Sequence, residues 1–317
     1  MDAEPELIGP FTRAQALEAG VTSRMLQGRG YVRVHPRVWK RAEHVMSDDD
    51  WISAAALALP SAAQLTGISR LQQLGLDYGP RRPIRFVAEG DLHRDVEGIF
   101  LHRTRKMPPL DDVGVCVEAA FMSYCSLCRV IDAIKVGDWL LHHRHMDRAR
   151  LLDLAVAQPW RDGAQEVMWV EPYLDHRARS LKESETRAIL EFAGLPRPET
   201  NVELGLDEDI RVLGDLVYRK WGTLVEYEGT QHQEDRGQYT SDIDRYALLR
   251  QHDRSYVQVT KEHMARPRRV VLAVYEALRK NGYDGPPPAF GQRWERLFRS
   301  LRAAVGPREL LGRRGVA

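Results

Sequence analysis

Three acidic side chains interrupt an apolar stretch of the sequence, LGDLVYRKWGTLVEYEG, at residues 213–229. If RKWG forms a loop between two strands, Asp215 lies opposite Glu226, and Glu228 falls on the same face two residues later. Opposed carboxylates about 5 Å apart repel each other unless a positive group lies between them. Such a cluster suits Mg²⁺ or Mn²⁺, and an ion held there could activate water for attack on a phosphodiester. The alternative is a solvated face whose charges pair with nearby lysines and arginines.

The elements that must position these acids begin at Ser180. The pattern predicts a helix, a break at GLPRP, a strand, a hairpin of two strands, a second helix, a further strand and a last helix. The predicted bounds are 181–193, 200–205, 210–218, 223–229, 241–252, 255–260 and 268–281. We expect residues 173–283 to form an α/β domain with a mixed sheet.

Three segments of this domain are SLKESETRAILEFAGLPRPE, GDLVYRKWGTLVEYEGTQHQ and YTSDIDRYALLRQHDRSYVQVT. Their order and spacing resemble the Vsr-like (very short patch repair type) branch of the restriction-endonuclease-like PD-(D/E)xK nucleases, over about residues 178–265. The resemblance implies that Asp215, Glu226 and Glu228 bind a metal ion. It also implies catalytic roles for Glu183 and His232 and supporting roles for Gln231, Asp242 and Arg245.

Two departures from that family's pattern bear on the site. Glu228 stands where Asp is usual, and the lysine of the superfamily is missing from the strand, where His232 could replace it in proton transfer. Glu183 also fits a capping box, SLKE, in which its carboxylate bonds back to the cap amide. Asp242 and Arg245, three residues apart on a helix, could form no more than an intrahelical ion pair.

The start of the chain has a different pattern. Residues 11–42 predict two short helices, capped by Thr12 and by Thr22 or Ser23, and then a hairpin, YVRVHPRVWKR. This order is that of a winged helix-turn-helix, which we assign to residues 1–45. Six basic residues and no acid lie between positions 19 and 42, and we expect them to contact DNA: Arg24, Arg29, Arg33, Arg37, Lys40 and Arg41. The alternative is an ordinary solvated face.

This N-terminal stretch, FTRAQALEAGVTSRMLQGRGYVRVHPRVWK, resembles the winged-helix domain of AbiEi-type antitoxins, and AAALALPSAAQLTGISRLQQLGL resembles the helical segment that follows it there. Residues 46–172 predict a small α+β middle domain with a helix at 51–75, two strands and a helical region at 119–157. This domain could support a homodimer. Residues 284–317 predict an Arg-rich helix and tail. The predicted fold class is therefore α+β and multidomain.

Composition limits the class of protein. The chain has 317 residues, a net charge of +1, 43% apolar residues and three cysteines. The cysteines do not predict a disulfide framework, and the sequence shows neither a signal segment nor a membrane span, so we expect a cytoplasmic protein. The CSLC pair at 125–128 could hold zinc, but no second ligand pair follows, and a buried apolar helix is the alternative.

These patterns together predict a metal-dependent DNA endonuclease that a winged helix brings to DNA, in DNA repair or in defence against foreign DNA. The alternative is a DNA-binding regulator or antitoxin with an inactive nuclease fold. A complete set of acids at 215, 226 and 228 favours the enzyme. An RNA-processing nuclease would share the chemistry, although a winged helix favours DNA.

Overall fold

The computed structural model describes residues 7–92, 94–205, 211–228, 251–252 and 254–306. The protein combines helices with several small sheets, antiparallel and mixed, which agrees with the predicted α+β class. By its internal contacts the chain divides into two compact units, Met1–Tyr124 and Cys125–Ala317. We call them unit 1 and unit 2. The four-part division expected from the sequence stays a prediction.

Unit 1 begins with two short helices and a hairpin, in the predicted order. The elements are β1 (Phe11–Thr12), α1 (Arg13–Glu18), α2 (Ser23–Leu26), β2 (Tyr31–His35) and β3 (Val38–Arg41). Thr12 caps α1 in a capping box with Gln15, and the Thr22 side chain accepts from the Met25 amide to cap α2. Two features differ from the prediction: Phe11 and Thr12 form a third strand beside β3, and α2 is a single turn.

The rest of unit 1 is a second three-stranded sheet with helices. Its elements are α3 (Asp48–Ala58), β4 (Gln64–Leu65), α4 (Gly67–Gln72), β5 (Ile84–Glu89), β6 (Ile99–Thr104) and α5 (Val117–Cys125). The predicted single helix at 51–75 is wrong, because α3 ends before Pro60 and β4 separates it from α4. Proline lacks the amide that a continuing helix requires. Residues of α3 and of the sheet share one core, which includes Ala55, Leu65 and Phe86.

The described part of unit 2 begins with helices, continues through a four-stranded sheet and contains four more helices after it. The elements before the sheet are α6 (Val130–His142), α7 (Arg148–Ala157), α8 (Ala164–Val170) and α9 (Leu181–Phe192). The strands are β7 (Glu199–Gly205), β8 (Arg211–Tyr218), β9 (Thr223–Tyr227) and β10 (Ser255–Val259). The last helices are α10 (Lys261–Met264), α11 (Pro267–Lys280), α12 (Gln292–Phe298) and α13 (Leu301–Val305).

The sheet of unit 2 is mixed, as predicted, with the order β10-β9-β8-β7. Strands β7, β8 and β9 form an antiparallel meander, whereas β10 lies parallel to β9. A parallel neighbour requires a crossover connection, and most of the residues of that connection lie outside the described part of the chain. Strand β9 is thus central, and its first four residues are buried. No helix among the described residues is long and apolar enough to cross a membrane.

Candidate functional site

The hairpin of β8 and β9 fixes the position of the first two acids. Tyr218 pairs with Thr223 and Leu216 with Val225, which is the register predicted from an RKWG loop. The loop is one turn of 3₁₀ helix that ends at Gly222, whose φ of 51° is a left-handed conformation favoured by glycine. The next positions along this register are 215 on β8 and 226 on β9. The predicted pairing of the two strands is therefore confirmed up to the acids.

Asp215 and Glu226 each follow the Leu216–Val225 pair, at the point where the ladder between the two central strands ends. An oxygen of the Asp215 carboxylate accepts a hydrogen bond of 3.0 Å from the Tyr227 amide. Glu226 is only 9% exposed, and its Oε2 accepts from the Tyr256 hydroxyl on β10 at 3.4 Å. Gln258 of β10 pairs with Glu226 in the parallel ladder. A carboxylate this buried requires polar or positive neighbours, and each of these two carboxylates has at least one polar partner.

Glu228 lies just beyond β9, which ends two residues earlier than the predicted bound of 229. Its amide donates to the Val259 carbonyl at 2.9 Å, so the backbone continues beside β10. The side chain is half-buried. Strand pairing with β8 does not extend to Glu228, so the predicted common face of all three acids is not fixed by the hairpin alone.

Glu183 combines a capping role with a position near the sheet. The Ser180 hydroxyl accepts from the Glu183 amide at 3.1 Å, as the predicted cap requires. The Glu183 carboxylate, however, accepts from the Arg179 amide at 2.9 Å rather than from the amide of the cap residue. The same carboxylate oxygen accepts from the Asn201 side chain of β7. Asn201 has a φ of 49° and stands opposite position 215, because its neighbours pair with Gly214 and Leu216.

Three residues of this region carried no sequence signal for a site. Lys182 of α9 places its ammonium 6.0 Å from the centre of the Tyr227 ring, so a lysine approaches the end of β9 from the helix. Asn201 connects Glu183 to the level of Asp215, and Tyr256 contacts Glu226. Lys182 could have been considered because it stands beside Glu183 in SLKE. Tyr256 lies in the third segment that carries the resemblance, but no role was implied for it, and Asn201 lies outside all three segments.

No family model matches the chain, and comparisons with curated proteins and with solved structures gave no match. The interpretation of the site therefore depends on its own residues.

The donor chemistry fits a hard divalent cation. Proteins hold Mg²⁺ through one or two carboxylates, with water and substrate phosphate completing its shell, and Asp215 and Glu226 provide two carboxylates on neighbouring strands. Within the described residues, no three His, Cys, Asp or Glu side chains are grouped closely enough to hold a metal ion. The three-carboxylate set that includes Glu228 stays a prediction. Four further predicted residues lie outside the described part of the chain: Gln231, His232, Asp242 and Arg245.

The six basic residues predicted to bind DNA fall into two groups. Four are exposed on α2, the loop after it and the β2–β3 hairpin: Arg24, Arg29, Arg33 and Arg37. The ammonium of Lys40 instead donates to three backbone carbonyls, those of Arg41, Ala42 and His44, at 3.0, 3.2 and 2.7 Å. The Arg41 guanidinium lies 5.5 Å from the centre of the Tyr31 ring. These last two cations stabilise the hairpin itself.

The cysteines of CSLC are free and buried. Burial raises the pKa of the Cys125 thiol well above its ordinary value, and the neighbouring Cys128 acts in the same direction. A thiol of this kind is a poor nucleophile. The continuous apolar helix predicted through CSLC is wrong, because α5 ends at Cys125 and α6 begins at Val130, which leaves Cys128 in the turn between them.

Proposed function

We propose that unit 2 is a metal-dependent nuclease that hydrolyses phosphodiester bonds of DNA. The observation that best supports this is the register of β8 and β9, whose last pair, Leu216 and Val225, directly precedes Asp215 and Glu226 on the two central strands, where the Tyr227 amide donates to Asp215. The order of α9, three strands and a fourth strand in a mixed sheet also agrees with the order expected of this domain, in which the helix predicted at 241–252 lies almost wholly outside the described residues. DNA repair and defence against foreign DNA both remain contexts for this activity.

The residues of the site would have separate roles in binding the metal ion, positioning its ligands and orienting the attacking water. Asp215 and Glu226 would bind Mg²⁺ or Mn²⁺, with Glu228 as a further ligand. When bound, such an ion neutralises charge on a phosphate and lowers the pKa of water. The amide of Tyr227 holds the Asp215 carboxylate in place, and Glu183, through Asn201, acts as a positioning residue. Glu228 or His232 would orient the attacking water.

Unit 1 would deliver the nuclease to duplex DNA as a winged helix. The exposed arginines on α2 and the hairpin support this, because phosphate contacts supply most of the affinity of a protein for DNA. The same four cations, Arg24, Arg29, Arg33 and Arg37, favour a second candidate, a DNA-binding regulator or antitoxin whose nuclease fold is inactive. The two candidates agree on binding and differ on cleavage.

Cleavage assays with matched variants separate the candidates. Purified protein would be incubated with supercoiled plasmid and with labelled single- and double-stranded oligonucleotides, in Mg²⁺, Mn²⁺ or EDTA. Asp215→Asn keeps an oxygen that can accept from the Tyr227 amide but removes the negative charge, so it preserves the fold. Glu203→Gln is the control, since Glu203 is an exposed acid on β7 of the same sheet, paired with Arg211 at 3.6 Å.

An endonuclease requires cleavage that depends on the metal, persists in Glu203→Gln and falls at least about a thousandfold in Asp215→Asn, as loss of a main electrostatic group implies. If the wild type binds duplex DNA and cuts none of the substrates in any metal, the regulator is the better description. Cleavage that persists in Asp215→Asn would place the active centre elsewhere.

A further inference from the structure

The loop that precedes α9, residues 175–179, is held firmly by its backbone. The Asp175 amide donates to the buried carboxylate of Asp138 on α6 at 2.7 Å. The His176 carbonyl accepts from Nδ1 of His142, at the end of α6, at 3.1 Å. The Ala178 side chain is buried. The first half of the loop is therefore fixed to α6.

The second half of the loop is fixed to the candidate site. The Arg177 carbonyl accepts from the Asn201 side chain at 2.8 Å, and the Arg179 amide donates to Glu183 at 2.9 Å. Asn201 also donates to Glu183 and stands level with Asp215. The loop thus ends beside the acids through contacts that involve its backbone alone.

The loop carries basic side chains that are exposed to solvent. His176, Arg177 and Arg179 are exposed, and so is Arg144, which follows α6 with a φ of 58°. Within the part of the chain that the structure describes, the guanidinium groups of Arg177, Arg179 and Arg144 form no ion pair. The His142 ring, which contacts the His176 carbonyl, lies 5.1 Å from the ring of His143, the residue before Arg144. We call these arginines the loop cations: Arg144, Arg177 and Arg179.

The acids of the flanking elements already have partners. The Asp175 carboxylate accepts from the Arg177 amide at 3.0 Å. Glu171 is paired with Arg148, and Glu185 is paired with Lys135 and Lys182 at 3.1 and 2.9 Å. None of these carboxylates is ion-paired with a loop cation, and exposed arginines on a loop held by its backbone beside the candidate site suit a polyanion.

We propose that the loop cations bind the phosphates of the DNA strand that flanks the scissile bond. This inference rests on the proposed function for the position of that bond. Phosphate contacts fix the register of a protein on DNA, and a loop held by its backbone keeps its cations in place before DNA binds. The loop would seat the strand so that one phosphate reaches Asp215 and Glu226.

Binding, measured without cleavage, tests this surface. The double variant Arg177→Gln/Arg179→Gln would be compared with Arg211→Gln/Arg219→Gln, which removes the same charge from the same unit at arginines already paired with Glu203 and Glu199. The dissociation constant for a labelled duplex and for a single strand would be measured in EDTA over a series of salt concentrations. Circular dichroism melting would confirm that all variants fold.

The expected result is weaker binding in the Arg177/Arg179 variant and a slope of log K against log salt that is shallower by about 2, one for each lost phosphate contact. The Arg211/Arg219 control keeps the wild-type slope. The proposal is overturned if the Arg177/Arg179 variant keeps the wild-type slope, or if the slope of the control falls by the same amount. EDTA prevents cleavage, so this experiment measures binding alone. If the protein binds in this way but cuts no substrate in the assays with Mg²⁺ or Mn²⁺, the binding surface is supported and the nuclease is refuted.

Discussion

Arg187 of α9 and Asp138 of α6 form an ion pair of 2.7 Å in which both side chains are fully buried. Glu191, one turn further along α9, accepts from the other guanidinium nitrogen, also at 2.7 Å. Burial opposes the charge of Arg187, but the carboxylates of Asp138 and Glu191 outweigh it and raise the pKa of the guanidinium above its ordinary value. This pair joins the helix that carries Glu183 to the helix that anchors the loop cations.

Removal of one partner of this pair is expected to destabilise unit 2 strongly. Arg187→Met leaves the buried Asp138 carboxylate without its cation and should lower the free energy of unfolding by about 3–5 kcal/mol. Asp138→Asn keeps an acceptor for the Asp175 amide and removes the charge. The double variant should therefore lose less than the sum of the single variants, by about 1–3 kcal/mol. Urea unfolding of the four proteins measures this coupling, and additive losses would contradict it.

Part of this arrangement was predictable from the sequence, because the β8–β9 hairpin is specified locally. A four-residue loop that ends in Gly222, between two apolar runs, leaves one register that keeps those runs paired. The burial of Arg187 had no such signal. Its partner Asp138 lies 49 positions earlier in the chain, and a charged residue in an amphipathic helix is ordinarily exposed. The contacts of Asn201 likewise depend on tertiary structure.

Gly214, the residue before Asp215, has no side chain, and Val217 and Leu224 pack into the space that a Cβ would occupy. A Cβ at this position would come within 2.7 Å of Val217 Cγ2 and 3.0 Å of Leu224 Cδ2. Gly214→Ala should therefore destabilise the sheet by about 1–3 kcal/mol through overpacking. It should also reduce any cleavage, since Asp215 moves with the strand. Thermal and urea unfolding measure the first effect.

The matched control for Gly214 is Gly291→Ala, in the same unit. A Cβ there meets nothing within 4 Å, so the change should stay within about 0.5 kcal/mol of wild type. Equal stability of the two alanine variants would show that β8 adjusts more freely than the packing around Gly214 indicates.

Two substitutions at Asn201 separate the effect of its backbone conformation from the effect of its side-chain hydrogen bonds. The amide group of Asn201 donates to Glu183 and to the Arg177 carbonyl. Asn201→Asp replaces this donor with a carboxylate, so oxygen atoms that can only accept face both partners. We expect a loss of about 1–3 kcal/mol, since both hydrogen bonds are lost and a negative charge is placed beside the Glu183 carboxylate. Asn201→Gly keeps the φ of 49° without strain and should lose less. A larger loss in the glycine variant would show that the like polarity introduced by Asn201→Asp costs less than the complete loss of the side chain.

His35, at the end of β2 in unit 1, should make the stability of the protein depend on pH. Burial, assisted by the positive charge of Arg82, lowers the pKa of its imidazole below the ordinary 6.5, and the ring lies edge-on to Trp51 at 6.3 Å. Below pH 6.5 the unfolded chain therefore binds a proton that the folded protein resists. The stabilisation is complete above that pH and is lost as the pH falls through the lowered pKa.

The prediction for His35 is a difference between variants. The free energy of unfolding of wild type should fall between about pH 7.5 and about pH 5 by more than that of His35→Leu, which has no proton to bind at this position. His102→Gln, at an exposed histidine of β6, should keep the wild-type difference. Denaturant unfolding at the two pH values measures all three proteins. If His35→Leu loses as much stability on acidification as wild type, the imidazole must be able to take up its proton within the folded hairpin, and the source of any acid sensitivity lies elsewhere.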